Sequence, residues 1–254
     1  MRPARIAELL APFLGRMSTG AAISPDSCHS GPAQAGEESV VLSPSQLQHI
    51  STYINILLRW NARINLTAIR DPEEIVTRHF GESLFAARHL FPRSSSMSSV
   101  SSVVKGVPGV ADLGSGAGFP GLPIKLWAPQ ISLTLIESNH KKSAFLREVT
   151  RALTLTDVNI RTTRAEDLPP TDVFDVVTLR AVERFENILP IAAALVAPAG
   201  RLALLIGASQ VTQARAVQPS VSWQPPLPVP LSRSRVLLIG ANPPSPPPLR
   251  NQNG

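Results

Sequence analysis

The sequence predicts an α/β fold in which a mostly parallel sheet follows an N-terminal helical segment. From residue 110 onward, short apolar runs alternate with helical patterns, which is typical of parallel strands joined by helices. Residues 43–91 show helical periodicity alone. Of the 254 residues, 43% are hydrophobic, so the chain can bury a core of this kind.

Composition sets the expected boundaries of the parts. Residues 1–92 form the helical segment, interrupted by an insert at 16–41 that is rich in Ser, Gly, Pro and Ala and is predicted to be disordered. A Ser-rich linker covers 93–109, and the alternating α/β pattern covers 110–241. The tail, 242–254, has five prolines in 13 residues and is predicted to be disordered.

Helix-start signals define the elements of the N-terminal segment. Ser43 is suited to cap a helix, with Pro44 at the first helical position and Gln46 three residues after the cap. Asp71 and Pro72 repeat this signal. A short amphipathic helix is predicted before the insert, at Ala4–Leu14. The two apolar stripes at helical spacing are Leu47, Ile50, Ile54, Leu57 and Leu58, and Ile75, Val76, Phe80, Leu84 and Phe85.

The alternating region predicts six strands with helices between them. The strands are Val110–Leu113, Ser132–Ile136, Val158–Thr163, Val173–Leu179, Arg201–Ile206 and Arg235–Ile239. The helices are Leu122–Trp127, Lys141–Leu153 and Ile188–Val196. The Pro-rich stretch 219–230 is predicted to be a loop.

A glycine-rich turn follows the first predicted strand, where α/β folds hold nucleotide-like ligands. It fits two motifs. Gly116-x-Gly118-x-x-Gly121 matches the dinucleotide fingerprint and predicts an NAD-dependent dehydrogenase. Asp112-x-Gly114-x-Gly116-x-Gly118 places a carboxylate at the strand end, which suits a ligand with a sulfonium and an ammonium group. Glu137 ends the second strand, where a carboxylate can accept hydrogen bonds from a ribose in either case.

The order of several motifs resembles one bacterial family. Arg59-Trp60-Asn61-x-x-x-Asn65-Leu66-Thr67-x-x-Arg70-Asp71 is followed by Asp112-Leu113-Gly114-Ser115-Gly116-Ala117-Gly118-Phe119-Pro120-Gly121-Leu122-Pro123, Arg164-Ala165-Glu166 and Arg180-Ala181. This pattern, over about residues 43–207, is similar to the glucose-inhibited division protein B family, which methylates N7 of a guanine in 16S ribosomal RNA. It departs from the pattern at Glu82, usually Asp, and at Ile206, often Lys.

The resemblance implies a Rossmann-like class I methyltransferase fold with a seven-stranded sheet and S-adenosylmethionine as the cofactor. It implies 16S ribosomal RNA, or a precursor of the small subunit, as the partner, and a cytoplasmic monomer without a metal. The cofactor contacts that it carries over are Gly114, Phe119, Ala165, Glu166 and Arg180.

The sequence shows no obvious catalytic base, which is what methylation of guanine N7 allows. Guanine N7 has a free lone pair, so its methylation needs alignment and no base. Methylation of pyrimidine carbon 5 needs a cysteine nucleophile, and the only cysteine, Cys28, lies in the insert. Asn242-Pro243-Pro244 resembles an adenine amino-methyltransferase motif but lies in the tail. No apolar run reaches the length of a membrane span.

The positive charge suggests where RNA binds. The net charge is +6, and 20 of the 24 basic residues are arginine, which recognises phosphate through a bidentate fork. The predicted RNA-facing residues are Arg59, Arg63, Arg70, Arg78 and His79, with Lys141, Lys142 and Arg147. Because the usual lysine near Ile206 is missing, a non-catalytic RNA-binding or ribosome-assembly protein is a third hypothesis beside the methyltransferase and the dehydrogenase.

Overall fold

The computed structural model of the chain describes residues 1–15, 41–93, 106–181 and 185–243. Nearly all of the predicted insert, the Ser-rich part of the predicted linker and the predicted tail from residue 244 lie outside these ranges. No helix in the described ranges combines the length and the hydropathy needed to cross a bilayer.

The N-terminal part is helical, as the sequence predicts. Helix α1 (Pro3–Leu14) precedes α2 (Pro44–Asn61), and the next helix begins at α3 (Pro72–Glu74), widens into a π-helix (Ile75–Gly81) and ends as α4 (Glu82–Leu90). The capping box before α2 is confirmed, because the Ser43 hydroxyl accepts from the amide of Gln46 and the Gln46 side chain accepts from the amide of Ser43. The π-helical turn is not predicted by the apolar stripe.

Five parallel strands form the centre of the sheet. They are β1 (Gly109–Leu113), β2 (Ser132–Ile136), β3 (Val158–Arg161), β4 (Phe174–Arg180) and β5 (Val196–Gly207). The helices between them are α5 (Gly121–Trp127), α6 (His140–Ala152) and α7 (Phe185–Ala194). Strand β8 (Arg235–Ala241) pairs antiparallel with β5, and β6 (Ser222–Trp223) pairs with β8, so the strand order is β3-β2-β1-β4-β5-β8-β6.

The predicted count of seven strands is wrong for the described residues, because the sheet there has eight. The Pro-rich stretch predicted to be a loop contains β6 (Ser222–Trp223) and β7 (Leu227–Pro228), which both pair with β8. Helix α8 (Val211–Val217) was also missed. Strands of two residues are too short to show an alternating pattern, so only their pairing with β8 reveals them.

The core lies on both faces of the sheet. On one face, α1, α2, the π-helix and α4 pack with α5 and α6, and Tyr53, Phe80 and Phe145 belong to one continuous apolar cluster there. On the other face, α7 and α8 cover a second cluster that includes Val177 and Leu204. The N-terminal helices therefore share a core with the sheet and lie beside the carboxyl ends of its strands.

Candidate functional site

The glycine-rich turn lies at the carboxyl edge of the sheet, between β1 and α5. The amide of Gly114 donates to the carbonyl oxygen of Ile136 at 2.9 Å, which joins the ends of β1 and β2. Gly114, Gly116 and Gly118 have φ values of +67°, +54° and +84°, which L side chains rarely adopt. The order in which strands are added to the sheet reverses between β1 and its other neighbour, β4, and such switch points are where open α/β sheets bind ligands.

Asp112 organises this turn from inside the protein. Its carboxylate accepts from the amide of Gly121 at 3.1 Å and from the hydroxyl of Thr178 at 2.8 Å, and the residue is 1% exposed. Burial raises the pKa of Asp112 to about 6, although these hydrogen bonds act in the opposite direction. The interpretation of Asp112 as a carboxylate presented to the ligand is not supported by this geometry, since both oxygens are bonded within the fold.

A cavity of about 260 Å³ opens beside the turn and brings together three of the five predicted cofactor contacts. Gly114, Ala165 and Glu166 line it, together with Glu137. Ala165 is buried and presents a methyl group, whereas Glu166 is exposed. The Glu137 carboxylate accepts from the amides of Gly116 at 2.9 Å and of Asn139 at 2.8 Å, so one bond per oxygen holds it in place and leaves further lone pairs.

The glycines of the turn distinguish the two motif readings. A Cβ atom added at Gly114 has no atom within 4 Å, so this backbone faces open space. A Cβ added at Gly118 meets the Tyr53 hydroxyl at 2.3 Å, and one at Gly121 meets the side chain of Leu135 at 2.7 Å. In the dinucleotide motif, the second glycine must leave room for a pyrophosphate. Here that room is filled by protein, which favours the motif built on Asp112 and Gly114.

The other two predicted contacts lie outside this cavity. Phe119 is 7% exposed and stacks between Tyr53 and His79, with ring centroids 5.4 and 4.8 Å away. The Arg180 side chain, at the end of β4, is 8% exposed and pairs with Glu82 at 3.1 Å. Its guanidinium also lies 5.9 Å from the centroid of the Phe119 ring. Phe119 and Arg180 therefore join the glycine turn to the N-terminal helices.

His79 is neutral in this arrangement. Burial, followed by the positive charges of Arg180, Arg78 and Arg235, lowers its pKa to about 3. Arginine only donates, so Nδ1 of His79 accepts from Arg180 at 3.1 Å and Nε2 carries the proton toward the Thr67 hydroxyl at 2.7 Å. Because both ring nitrogens are bonded within the fold, this geometry does not support the prediction of His79 as an RNA-facing residue.

The remaining predicted RNA-facing residues are divided. Arg59 pairs with Glu148, and Arg78 pairs with both Glu74 and Glu82. Arg63 and Arg70 are exposed in the loop after α2. Lys141 and Arg147 are exposed on α6, and Lys142 there is half-buried.

Sequence reasoning missed two residues of the site. Glu82 was noted only as a departure from a family pattern, yet it is the buried partner of Arg180. Arg235 was assigned only to the start of a strand, yet its Nε lies 3.1 Å from the same carboxylate. A charged residue next to a buried apolar run, as Arg235 is before Val236–Ile239, is the only signal that could have drawn attention to it.

Comparison with known proteins assigns the family. A family model, GidB, described as rRNA small subunit methyltransferase G, matches residues 46–227. The chain belongs to the GidB family. Two similar relatives named ribosomal RNA small subunit methyltransferase G come from Xylella fastidiosa (strain M23) and Xanthomonas euvesicatoria pv. vesicatoria (strain 85-10). The first is 36% identical over 68% of this chain and 74% of its own length. The second is 34% identical over 74% of this chain and 80% of its own length.

Solved structures agree with the GidB assignment at the level of the fold. YcgJ from Bacillus subtilis superposes with a TM-score of 0.50 and 13% identity over 65% of this chain and 99% of its own. The ribosomal protein L11 methylase from Lactobacillus delbrueckii subsp. bulgaricus superposes with a TM-score of 0.50 and 13% identity, over 65% of this chain and 79% of its own. The predicted Rossmann-like methyltransferase fold and the predicted family are both confirmed, and the dehydrogenase hypothesis is set aside.

Proposed function

We propose that this GidB-family chain is an S-adenosylmethionine-dependent methyltransferase that modifies N7 of a guanine in 16S ribosomal RNA. The observation that carries the proposal is the open space over Gly114, at the switch point of the sheet and within reach of Glu137. S-adenosylmethionine supplies a methyl group on a sulfonium, which is electrophilic enough to react with a neutral nitrogen.

The residues of the cavity fit this cofactor. Gly114 lets a ligand approach the backbone closely, because no side chain occupies that space. Glu137 is held by two amides and offers acceptors for hydroxyl groups, and Ala165 offers a small apolar surface for a flat ring. We assign Gly114, Ala165 and Glu166 to direct contact. Phe119 and Arg180, which do not line this cavity, are proposed as contacts at its boundary with the N-terminal helices.

The protein has little chemistry to perform in this reaction. A guanine N7 lone pair attacks without prior loss of a proton, so the enzyme contributes alignment and exclusion of water. His79 is neutral, half-buried and bonded through both ring nitrogens, which agrees with a positioning role. No residue is assigned as a general base.

The substrate is proposed to be 16S ribosomal RNA or a small-subunit precursor in the cytoplasm. Exposed arginines on the loop after α2 and basic residues on α6 support contact with phosphates. The protein is proposed to act as a monomer.

Calorimetric titration tests the cofactor assignment. S-adenosylmethionine and its demethylated product are expected to bind, and NAD is not. Binding of NAD alone overturns the assignment. Gly114→Val, which fills the space over the turn, is expected to abolish binding of the demethylated product.

Mapping of N7-methylguanine tests the reaction. Ribosomal RNA from cells that lack the protein is cleaved with borohydride and aniline and compared with RNA from parent cells. We expect one 16S cleavage site to disappear and to return when the intact protein is restored. An unchanged cleavage pattern favours the non-catalytic RNA-binding hypothesis.

A further inference from the structure

Three guanidinium groups surround one buried carboxylate at the carboxyl edge of the sheet. We call this set, Glu82 with Arg78, Arg180 and Arg235, the Glu82 cluster. Glu82 comes from α4 and is 1% exposed. Its Oε1 lies 3.2 Å from Nε of Arg78, and its Oε2 lies 3.1 Å from both Arg180 and Arg235. The cluster therefore joins three parts of the fold: the π-helix, β4 and β8.

Among the residues that the structure describes, positive groups outnumber negative ones at the Glu82 cluster. Arg78 has a second carboxylate, Glu74, at 3.8 Å, but Arg180 and Arg235 share a single oxygen of Glu82. The Arg235 side chain is 24% exposed, and its Nε faces Oε2 of Glu82 at 3.1 Å without a well-aligned hydrogen bond to any described residue. Because three guanidinium groups there contact only two carboxylates among the described residues, one more anion beside them is electrostatically favoured.

The free side of the cluster faces a second cavity. This cavity, of about 110 Å³, is lined by Arg180 and Arg235, by the polar or small residues Gly207 and Gln210, and by large apolar side chains that include Leu179 and Phe185. Arg235 reaches it because β8 runs antiparallel to β5 and places this residue opposite Gly207. Its volume equals that of about four liquid water molecules, which accommodates one phosphate group.

We propose that Arg235 binds a phosphodiester of the RNA substrate next to the guanine that is methylated. This inference rests on the proposed function. The cavity of the Glu82 cluster shares no lining residue with the cavity over Gly114, so an anion bound there is separate from the ligand of the glycine turn. A planar guanidinium matches a phosphate through paired hydrogen bonds.

Arg235→Gln tests the site, with Arg233→Gln as the matched control. Arg233 is two residues away and exposed, so its substitution removes the same charge without altering the cluster. Equilibrium binding is measured with 16S ribosomal RNA, as a transcript and in small-subunit particles from cells that lack the protein, at several salt concentrations. The demethylated cofactor is present at saturation, so no turnover is needed.

We expect R235Q to weaken RNA binding by about five- to tenfold at low salt and to reduce the slope of log K against log salt by about 0.7–0.9, one phosphate contact. R233Q is expected to match wild type, and the affinity of R235Q for the demethylated cofactor is expected to stay within about twofold. Unchanged RNA affinity and slope in R235Q overturn the proposal. Weaker cofactor binding with unchanged RNA binding overturns it too, because the anion is then a carboxylate of the cofactor.

Two further outcomes are separable. If R235Q does not fold, Arg235→Lys is the variant that tests the proposal, because lysine keeps the charge and lacks the planar guanidinium. We expect R235K to bind RNA more weakly than wild type with an unchanged salt slope. Wild-type RNA affinity in R235K overturns the proposal. If wild-type protein transfers no methyl group but R235Q still weakens RNA binding, the proposed reaction fails and the phosphate site stands.

Discussion

Alanine substitutions at two glycines of the same turn separate stability from ligand binding. Gly114→Ala adds a methyl group where no atom lies within 4 Å, at a φ of +67°. Its cost in the free energy of unfolding is therefore the left-handed backbone alone, about 1–2 kcal/mol. Gly118→Ala adds a methyl group that lies 2.3 Å from the Tyr53 hydroxyl and 2.6 Å from the Leu122 side chain, at a φ of +84°. Overpacking adds about 1–3 kcal/mol to the backbone cost there.

The effects on binding are expected in the reverse order. The Gly114 methyl enters the cavity of about 260 Å³ proposed for the cofactor. A single misplaced methyl group in a close-fitting site costs about 1–3 kcal/mol, which is roughly 10–200-fold in affinity. The Gly118 methyl points toward Tyr53 and Leu122, away from that cavity, so folded Gly118→Ala protein is expected to bind with an affinity within a few-fold of wild type.

Urea denaturation and calorimetric titration with S-adenosylhomocysteine provide the two measurements. Denaturation at 25 °C reports the free energy of unfolding, and titration is done at a temperature where both variants are folded. Unchanged affinity in Gly114→Ala refutes the assignment of this space to the cofactor. Greater destabilisation by Gly114→Ala than by Gly118→Ala refutes the packing argument.

Three further outcomes are expected. The imidazole of His79, whose pKa is lowered to about 3, stays neutral in an NMR titration down to pH 5, and a midpoint near 6.5 contradicts its burial against arginines. The pKa of Asp112 is raised from 3.8 to about 6, so the free energy of unfolding of wild type falls relative to Asp112→Asn as the pH rises from about 4 to 6, by roughly 3 kcal/mol in urea denaturation; a flat difference refutes the raised pKa. Tyr53→Phe removes the hydrogen bond to the carbonyl of Ala117 and lowers stability by about 1–2 kcal/mol, and an unchanged melting temperature shows that this bond contributes nothing.

The sequence was sufficient for the elements whose cause is local. The cap at Ser43, the strand that ends at Leu113 and the turn at Gly114 follow from residue types and spacing, and the structure has all three. Strands β6 and β7 were missed because two-residue strands depend on β8 for pairing. No local signal carries that information.

The site was predictable to a lesser degree, for the same reason. Gly114 follows β1, and Ala165 and Glu166 follow β3. These strands run parallel on either side of β2, so the meeting of the residues at one edge follows from the topology. Arg235 lies 55 residues after Arg180 in the chain. Only the antiparallel return of β8 brings it against the same carboxylate, Glu82. A sequence pattern cannot measure such a charge imbalance, since it arises only from three-dimensional contacts.

The motif around residues 59–71 has a physical explanation in the structure. The Asn61 side chain accepts from the amides of Leu66 and Thr67 and donates to the carbonyl of Thr67, which fixes the loop after α2. The Thr67 hydroxyl then accepts from Nε2 of His79, and this bond leaves Nδ1 as an acceptor for Arg180. Because Arg180 ends β4 at the site, the loop sets the position of a guanidinium at the edge of the sheet through two side chains. The N-terminal helices are therefore part of the site, and its geometry depends on how they pack against the strand ends.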